Sequence, residues 1–199
     1  MRFHLNAQDA ACADMRRNID AWWPHVEAGV EVIVVTASGC GVQVKEYAQA
    51  LADDAEYSGK AKVISALSRD PAEILLAESS SLLPMLAQAK TERGKLAFHS
   101  PCTLQHGLKV RGVIESLLTA AGYDLVPVAD GHLCCGSAGT YSILQAELSE
   151  KLRYNKLAAL NEASPALIAT ANIGCLSHLQ AGSAMPVRHW IELVDESLI

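Results

Sequence analysis

With 199 residues, half of them hydrophobic, the chain can bury one large core or two small ones. Its 16 basic residues against 22 acidic ones, with no Lys/Arg-rich run and no basic stripe interleaved with aromatics, exclude nucleic acid from the expected partners. Met1-Arg2-Phe3-His4-Leu5-Asn6 turns polar at once, without the apolar core of an export signal, and no apolar run reaches the roughly 18 residues of a membrane span. A cytoplasmic protein without a transmembrane segment is expected, touching a membrane only through partners.

Along the chain, helix periodicity alternates with short apolar runs. Residues 6–28 read as a helix that Pro24 bends or ends, and residues 31–37 (EVIVVTA) read as a buried parallel strand followed by the loop Ser38-Gly39-Cys40-Gly41. Residues 42–51 and 60–67 read as helices, and Asp70-Pro71 supplies a helix start for a segment through Ala77, with a break at Ser79-Ser80-Ser81. From Lys95 the pattern restarts: strand 96–99, a loop at Pro101-Cys102, helix 107–121, strand 123–129, loop 132–140, helix 143–162, strand 166–172, the loop Ile173-Gly174-Cys175 and helix 187–197. The expected fold is α/β, with parallel strands flanked by helices.

Two stretches look alike. Val32-Ile33-Val34-Val35-Thr36-Ala37-Ser38-Gly39-Cys40 and residues 166–175 (ALIATANIGC) each join an apolar strand, a Thr-Ala pair and a closing Gly-Cys, each after a helix at similar distance. Residues 1–90 and 91–199 are therefore expected to be two pseudo-repeats, the first incomplete at its N-terminus, so that the chain begins inside it.

Six cysteines in a chain with no export signal belong to a reducing compartment, which favours metal or redox chemistry over disulfides. Cys102 is followed after 31 residues by Cys134-Cys135-Gly136 and after a further 39 by Cys175-Leu176-Ser177-His178. These cysteines fall in loops after three expected strands, and crevices at strand carboxyl ends are where such sheets bind ligands. Thiolates are soft donors that suit either an iron–sulfur cluster or zinc, and four of them with a nearby histidine satisfy both. Gly131, Gly136, Gly139 and Gly174 would let backbone approach a bulky group. Cys102, Cys134, Cys135 and Cys175 are the candidate ligands, with His178 and Cys40 as weaker ones. Cys12, inside a helix, reads as structural; His99, His106 and His132 read as hydrogen-bonding neighbours, and Trp22, Trp23 and Trp190 as packing residues. A thiol–disulfide enzyme would need a reactive Cys-x-x-Cys pair, which is absent.

Several of these segments resemble one family. His99-Ser100-Pro101-Cys102-Thr103-Leu104-Gln105-His106, residues 132–141 (HLCCGSAGTY), residues 170–175 (TANIGC) and Val187-Arg188-His189-Trp190-Ile191-Glu192 are similar to the C-terminal region of bacterial glycolate oxidase (glycolate dehydrogenase) iron–sulfur subunits. Those subunits share the cysteine-rich, or CCG, domain with heterodisulfide reductases and lactate-utilisation proteins. The resemblance extends through Asn18-Ile19-Asp20-Ala21-Trp22-Trp23-Pro24 and Thr36-Ala37-Ser38-Gly39-Cys40-Gly41. It implies an electron-transfer subunit whose iron–sulfur cluster, of the 4Fe–4S type, takes electrons from flavin-containing subunits that oxidise glycolate to glyoxylate, with no substrate chemistry of its own. The family also carries ferredoxin-like motifs and a complete first repeat before this region, so the chain reads as a fragment. It departs from the family where Cys175-x-x-His178 replaces Cys-x-x-Cys. The alternative is a structural zinc-binding or cluster-free docking module of the same complex.

Overall fold

In a computed structural model describing residues 2–88 and 92–199, the apolar runs form two separate parallel sheets rather than one. The chain divides into two compact units, Met1–Asp70 and Pro71–Ile199. The boundary expected between residues 90 and 91 lies outside the described residues, and Ala72, Leu82 and Leu86 already belong to the core of the second unit.

In the first unit a 3-10 turn, Arg2–Leu5, precedes α1 (Gln8–Glu27). Ala11, Met15 and Ile19 recur every fourth residue, which lines them on one helical face, and all three are buried. β1 (Ile33–Val34), α2 (Ser38–Lys45), α3 (Tyr47–Ala50), α4 (Ser58–Leu67) and β2 (Ser68–Arg69) follow. β2 pairs parallel with β1, Ile33 opposite Ser68 and Val34 opposite Arg69. Met15, Ile19, Val44, Tyr47, Leu51, Ala61 and Ile64 make the core, and Trp22 stacks on Tyr47 with ring centroids 6.4 Å apart.

The second unit opens with α5 (Pro71–Ala77) and α6 (Ser79–Gln88), then β3 (Lys95–His99), a π-helical turn at Thr103–Gly107, α7 (Val113–Ala120) and β4 (Asp124–Leu125). It continues through α8 (Tyr141–Leu144), α9 (Ala146–Asn161), β5 (Leu167–Thr170), α10 (Ile173–Gln180), β6 (Val187–His189) and α11 (Trp190–Asp195). All four strands are parallel, in the order β4-β3-β5-β6. Side chains of a strand alternate between faces. Leu96 and Phe98 join Ala169, Leu117, Leu118 and Trp190 in a core on one face, while Ala97 and Ile168 join Cys135, Leu157, Leu160 and Leu179 on the other. By the same alternation His99 and Thr170, opposite each other in the register, belong to the second face. The chain leaves β3 on one side to make β4 and returns on the other to make β5, so the strand order reverses between β3 and β5. That switch point opens a crevice at the carboxyl ends, the place where doubly wound sheets bind ligands.

The α/β expectation holds, with corrections in its elements. The strand expected at 31–37 pairs over only two residues because its partner, Ser68–Arg69, is itself no longer than that, and the one expected at 123–129 pairs over two residues of the five-residue β3, stopping short of Pro127. Ser68–Arg69 and Val187–His189 are strands that periodicity missed, the latter read as the start of a helix that begins at Trp190. Ser38-Gly39-Cys40-Gly41 and Ile173-Gly174-Cys175 are first helical turns rather than loops, since the chain coils as soon as it leaves the sheet edge. Helix 42–51 breaks at Glu46, the helix expected at 107–121 starts only at Val113, after a π-helical turn that ends at Gly107, and that expected at 143–162 begins as a separate short turn. Among the described residues no helix is long and apolar enough to cross a membrane.

Candidate metal centre

Three chain segments leave the sheet at its carboxyl edge and bring four thiols to the β3–β5 crevice. Cys102 caps the π-helical turn after β3, Cys134 and Cys135 lie in the loop after β4, and Cys175 is the third residue of α10 after β5. Cys135 is buried, and the other three are half-buried.

The thiols form a hydrogen-bonded chain, and the charges alternate along it. Cys102 donates to Cys134, which holds the Cys102 thiol well above its ordinary range; burial adds to the effect. Cys134 accepts from Cys102, from Cys135 and from the Gly136 N–H at 3.3 Å, so it stays a thiolate far below the usual thiol range. Cys135 is pushed up by its bonds to Cys134 and Cys175, while Cys175 is lowered by accepting from Cys135 and from Ser137. Ser137 Oγ lies 3.4 Å from Cys135 Sγ and 3.8 Å from Cys175 Sγ. Thiolates are the metal-binding form of cysteine, and the hydrogen-bonded chain favours that form at Cys134 and Cys175.

The loop that carries Cys134 and Cys135 is held by its neighbours. Gly136 has φ +93°, and a Cβ there would stand 2.4 Å from the Ser149 carbonyl, so only glycine fits. Ser149, fully buried on α9, donates to the Gly136 carbonyl at 2.8 Å and lies 3.1 Å from His178 Nε2. Asn172 Oδ1 caps α10 by accepting from the Gly174 N–H at 2.8 Å and the Cys175 N–H at 3.4 Å.

Two groups that sequence reasoning left aside lie within this site. A ring nitrogen of His99 and the sulfurs of Cys135 and Cys175 all lie within 4.8 Å of one another. His99 had read as a hydrogen-bonding neighbour; its Nδ1 is 2.9 Å from Thr170 Oγ1, and its Nε2 is buried without a partner. Lys156 on α9 is fully buried, with Nζ 3.1 Å from the Gly131 carbonyl and 3.5 Å from that of Asp130. Its ammonium, depressed by burial, is raised back by Cys102, Cys135, Asp130 and Cys134. The legible signal for it was a lysine on the α9 stripe that also buries Ser149, Leu157 and Leu160.

Burial, aided by the Lys156 charge, lowers His99 from its ordinary 6.5 to about 3. Between those values the unfolded chain binds a proton that the folded one refuses, so stability falls as pH falls. In the metal-free protein His99 is expected to contribute a slope of up to about 1.4 kcal/mol per pH unit across this window. Denaturant unfolding of the protein and of His99→Phe, at roughly pH 6.5 and pH 4.5, checks it: the loss on acidification should be smaller in the variant.

The other candidates have surroundings of their own. His178 Nε2 is engaged by the hydroxyl and carbonyl of Ser149, at 3.1 and 3.4 Å, and braces the loop from behind Gly136. Cys40 is exposed in the first turn of α2, in the first unit. Cys12 packs against the first unit's core with Sγ 4.0 Å from the Ala50 carbonyl. His106 and His132 are exposed.

Four thiols, one backbone N–H directed at sulfur and a buried imidazole with a free nitrogen fit a metal or an iron–sulfur cluster better than a packed core. Known proteins place the chain accordingly. Residues 96–180 match the family of the cysteine-rich (CCG) domain. The chain is 50% identical over 98% of its length to the glycolate oxidase iron–sulfur subunit of Escherichia coli (strain K12), of which it covers 47%. It is 28% identical, over 77% of its length, to the probable glycolate oxidase iron–sulfur subunit of Bacillus subtilis (strain 168), covering 34% of that protein. It is 27% identical, over 81% of its length, to lactate utilization protein A of Geobacillus sp. (strain WCH70), covering 69% of it. The chain thus spans less than half the length of the two glycolate oxidase subunits it matches. Residues 96–180, the part matched by the cysteine-rich (CCG) domain family, carry Cys102, Cys134, Cys135 and Cys175.

Proposed function

We propose that this chain holds an iron–sulfur cluster, of the 4Fe–4S type, on Cys102, Cys134, Cys135 and Cys175, and relays electrons within a glycolate-oxidising complex. The observation that carries it is the meeting of four thiols from three strand-end segments at the β3–β5 switch point. When bound, the cluster supplies reversible one-electron storage. The chain supplies the thiolates, buries one of them, and directs the Gly136 N–H at the Cys134 sulfur. No side chain need move a proton in a relay of this kind. The likeness to glycolate oxidase iron–sulfur subunits supports partner subunits; flavin-containing ones are the proposed electron donors, with any membrane contact made through them in a cytoplasmic setting.

The two units also support the repeat reading. The helix before the strand ends six residues short of it in both, α1 before β1 and α9 before β5. Cys40 and Cys175 are each the third residue of the following helix, and the next strand pairs parallel with the first in both units. The first unit is proposed as a degenerate copy of the second.

A second reading, one zinc ion held structurally, is favoured by the closeness of His99, Cys135 and Cys175. Anaerobic reconstitution followed by iron, sulfide and zinc analysis decides. Iron and labile sulfide in comparable amounts, with a brown colour, are expected; stoichiometric zinc with neither would overturn the relay.

A further inference from the structure

His99 ends β3 and Thr170 ends β5, and the two face each other in the sheet register on the face that carries Cys135. Thr170 is fully buried, and its hydroxyl lies 2.9 Å from His99 Nδ1. The hydroxyl either accepts from Nδ1–H or gives its own proton to Nδ1. Giving it there leaves the proton of the neutral imidazole on Nε2. That nitrogen is buried with no partner, although His99 as a whole is only 1% exposed. Buried N–H groups are nearly always bonded, so an orphan of this kind marks an acceptor the protein chain does not itself provide. Sulfur is acceptor chemistry at hand, since a ring nitrogen of His99 lies within 4.8 Å of the sulfurs of both Cys135 and Cys175.

We infer that His99 is a positioning residue that donates Nε2–H to sulfur of the bound cluster, with Thr170 fixing the tautomer that makes this possible. The inference rests on the iron–sulfur reading above and assigns His99 to the outer shell, not to the ligands. An N–H directed at sulfur favours the state with more negative charge on it, the reduced one. Thr170 acts one bond further away, through the ring. Losing its hydroxyl frees Nδ1 to take the proton and turns a lone pair, instead of a donor, toward the sulfurs.

The test uses the wild-type chain, His99→Phe, His99→Gln, Thr170→Val and the double variant His99→Phe/Thr170→Val, each reconstituted anaerobically. Iron and sulfide are assayed, midpoint potentials are titrated, and the imidazole tautomer is read by nitrogen-15 NMR in the metal-free protein. Iron content should be the same in all five. His99→Phe should make reduction about tenfold less favourable, a 59 mV fall for one electron. Thr170→Val should fall less, the double variant no further than His99→Phe, and His99→Gln, whose amide still donates, should recover part of the loss. The metal-free wild type should show Nε2–H, shifting toward Nδ1–H in Thr170→Val. Loss of iron from a folded His99→Phe would make His99 a ligand and overturn the inference, as would unchanged potentials or an Nδ1–H tautomer in the wild type. If His99→Phe does not fold, Thr170→Val and His99→Gln carry the same comparison. Absence of iron and sulfide from the wild type overturns the cluster reading itself, and is told apart because it precedes any difference among the variants.

Discussion

Cys135→Ser is expected to emerge from anaerobic reconstitution with neither iron nor labile sulfide, while Cys12→Ser retains both. Cys135 is 1% exposed and sits at the middle of the thiol chain, bonded to Cys134 on one side and Cys175 on the other. A serine hydroxyl has nearly the same shape but stays protonated, and it is a hard donor where the site calls for a soft one. Its insertion removes one ligand and also breaks the link between the remaining thiols. The fold should survive, because the new hydroxyl has Ser137 Oγ within reach; Cys135 Sγ already lies 3.4 Å from it. A cost of about 1–3 kcal/mol for burying a hydroxyl bounds the loss of stability. Cys12 tests the specificity of the effect, since it packs among Trp22, Val26 and Tyr57 in the first unit's core. Iron and sulfide assays, with circular dichroism to verify folding, read the outcome. Iron retained by Cys135→Ser would remove this residue from the ligand set.

Lys156→Met should change the metal-free and the loaded protein in opposite directions. Lys156 is fully buried, and two backbone carbonyls are its hydrogen-bond acceptors. Taking an ammonium out of water costs several kcal/mol, and an uncompensated buried charge is often better replaced by an apolar group of similar volume. Methionine is such a group, so metal-free Lys156→Met should be as stable as the parent or more so, by up to about 4 kcal/mol. A bound thiolate-ligated metal centre shifts the balance further, because the ammonium then faces four sulfurs that have all lost their protons. At an effective dielectric of about 20, unit charges roughly 8 Å apart attract by about 2 kcal/mol. Removing the cation should therefore weaken metal retention by roughly thirtyfold. Denaturant unfolding of the metal-free variant and chelator competition on the loaded one measure the two effects. A variant that loses stability without metal and keeps its metal as tightly as the parent would reduce Lys156 to a prop for the Asp130–Gly131 turn.

The meeting of the four thiols was legible from the order of residues. Cys102, Cys134, Cys135 and Cys175 each follow an apolar run, and in a parallel sheet every run ends at the same edge, so residues 73 positions apart can be expected to meet. Strand extents were less legible. Ile33–Val34 and Asp124–Leu125 sit in longer β-branched or apolar stretches; the first is limited by its two-residue partner Ser68–Arg69, while the second leaves β3 before Pro127, which has no N–H to give a ladder. The Val187–Ser197 stretch fits a helical period throughout, and its first three residues become a strand because β5 has a free edge that needs pairing. Gly39-Cys40 and Gly174-Cys175 look like loop residues by propensity, but the turn from strand into helix begins at them, and Asn172 supplies the cap at the second.

By itself the sequence determined the α/β alternation, the helical faces such as Ala11, Met15 and Ile19, and the soft donor set in three segments. These follow from local periodicity and residue chemistry, which neighbours along the chain are enough to specify. Only the tertiary structure decided that the sheet order reverses beside β3, that His99 and Thr170 stand side by side at that reversal, and that Lys156 is enclosed beneath the thiols. Those features depend on which strands pair and on which charges lose water, and both are set by contacts between residues far apart in the chain.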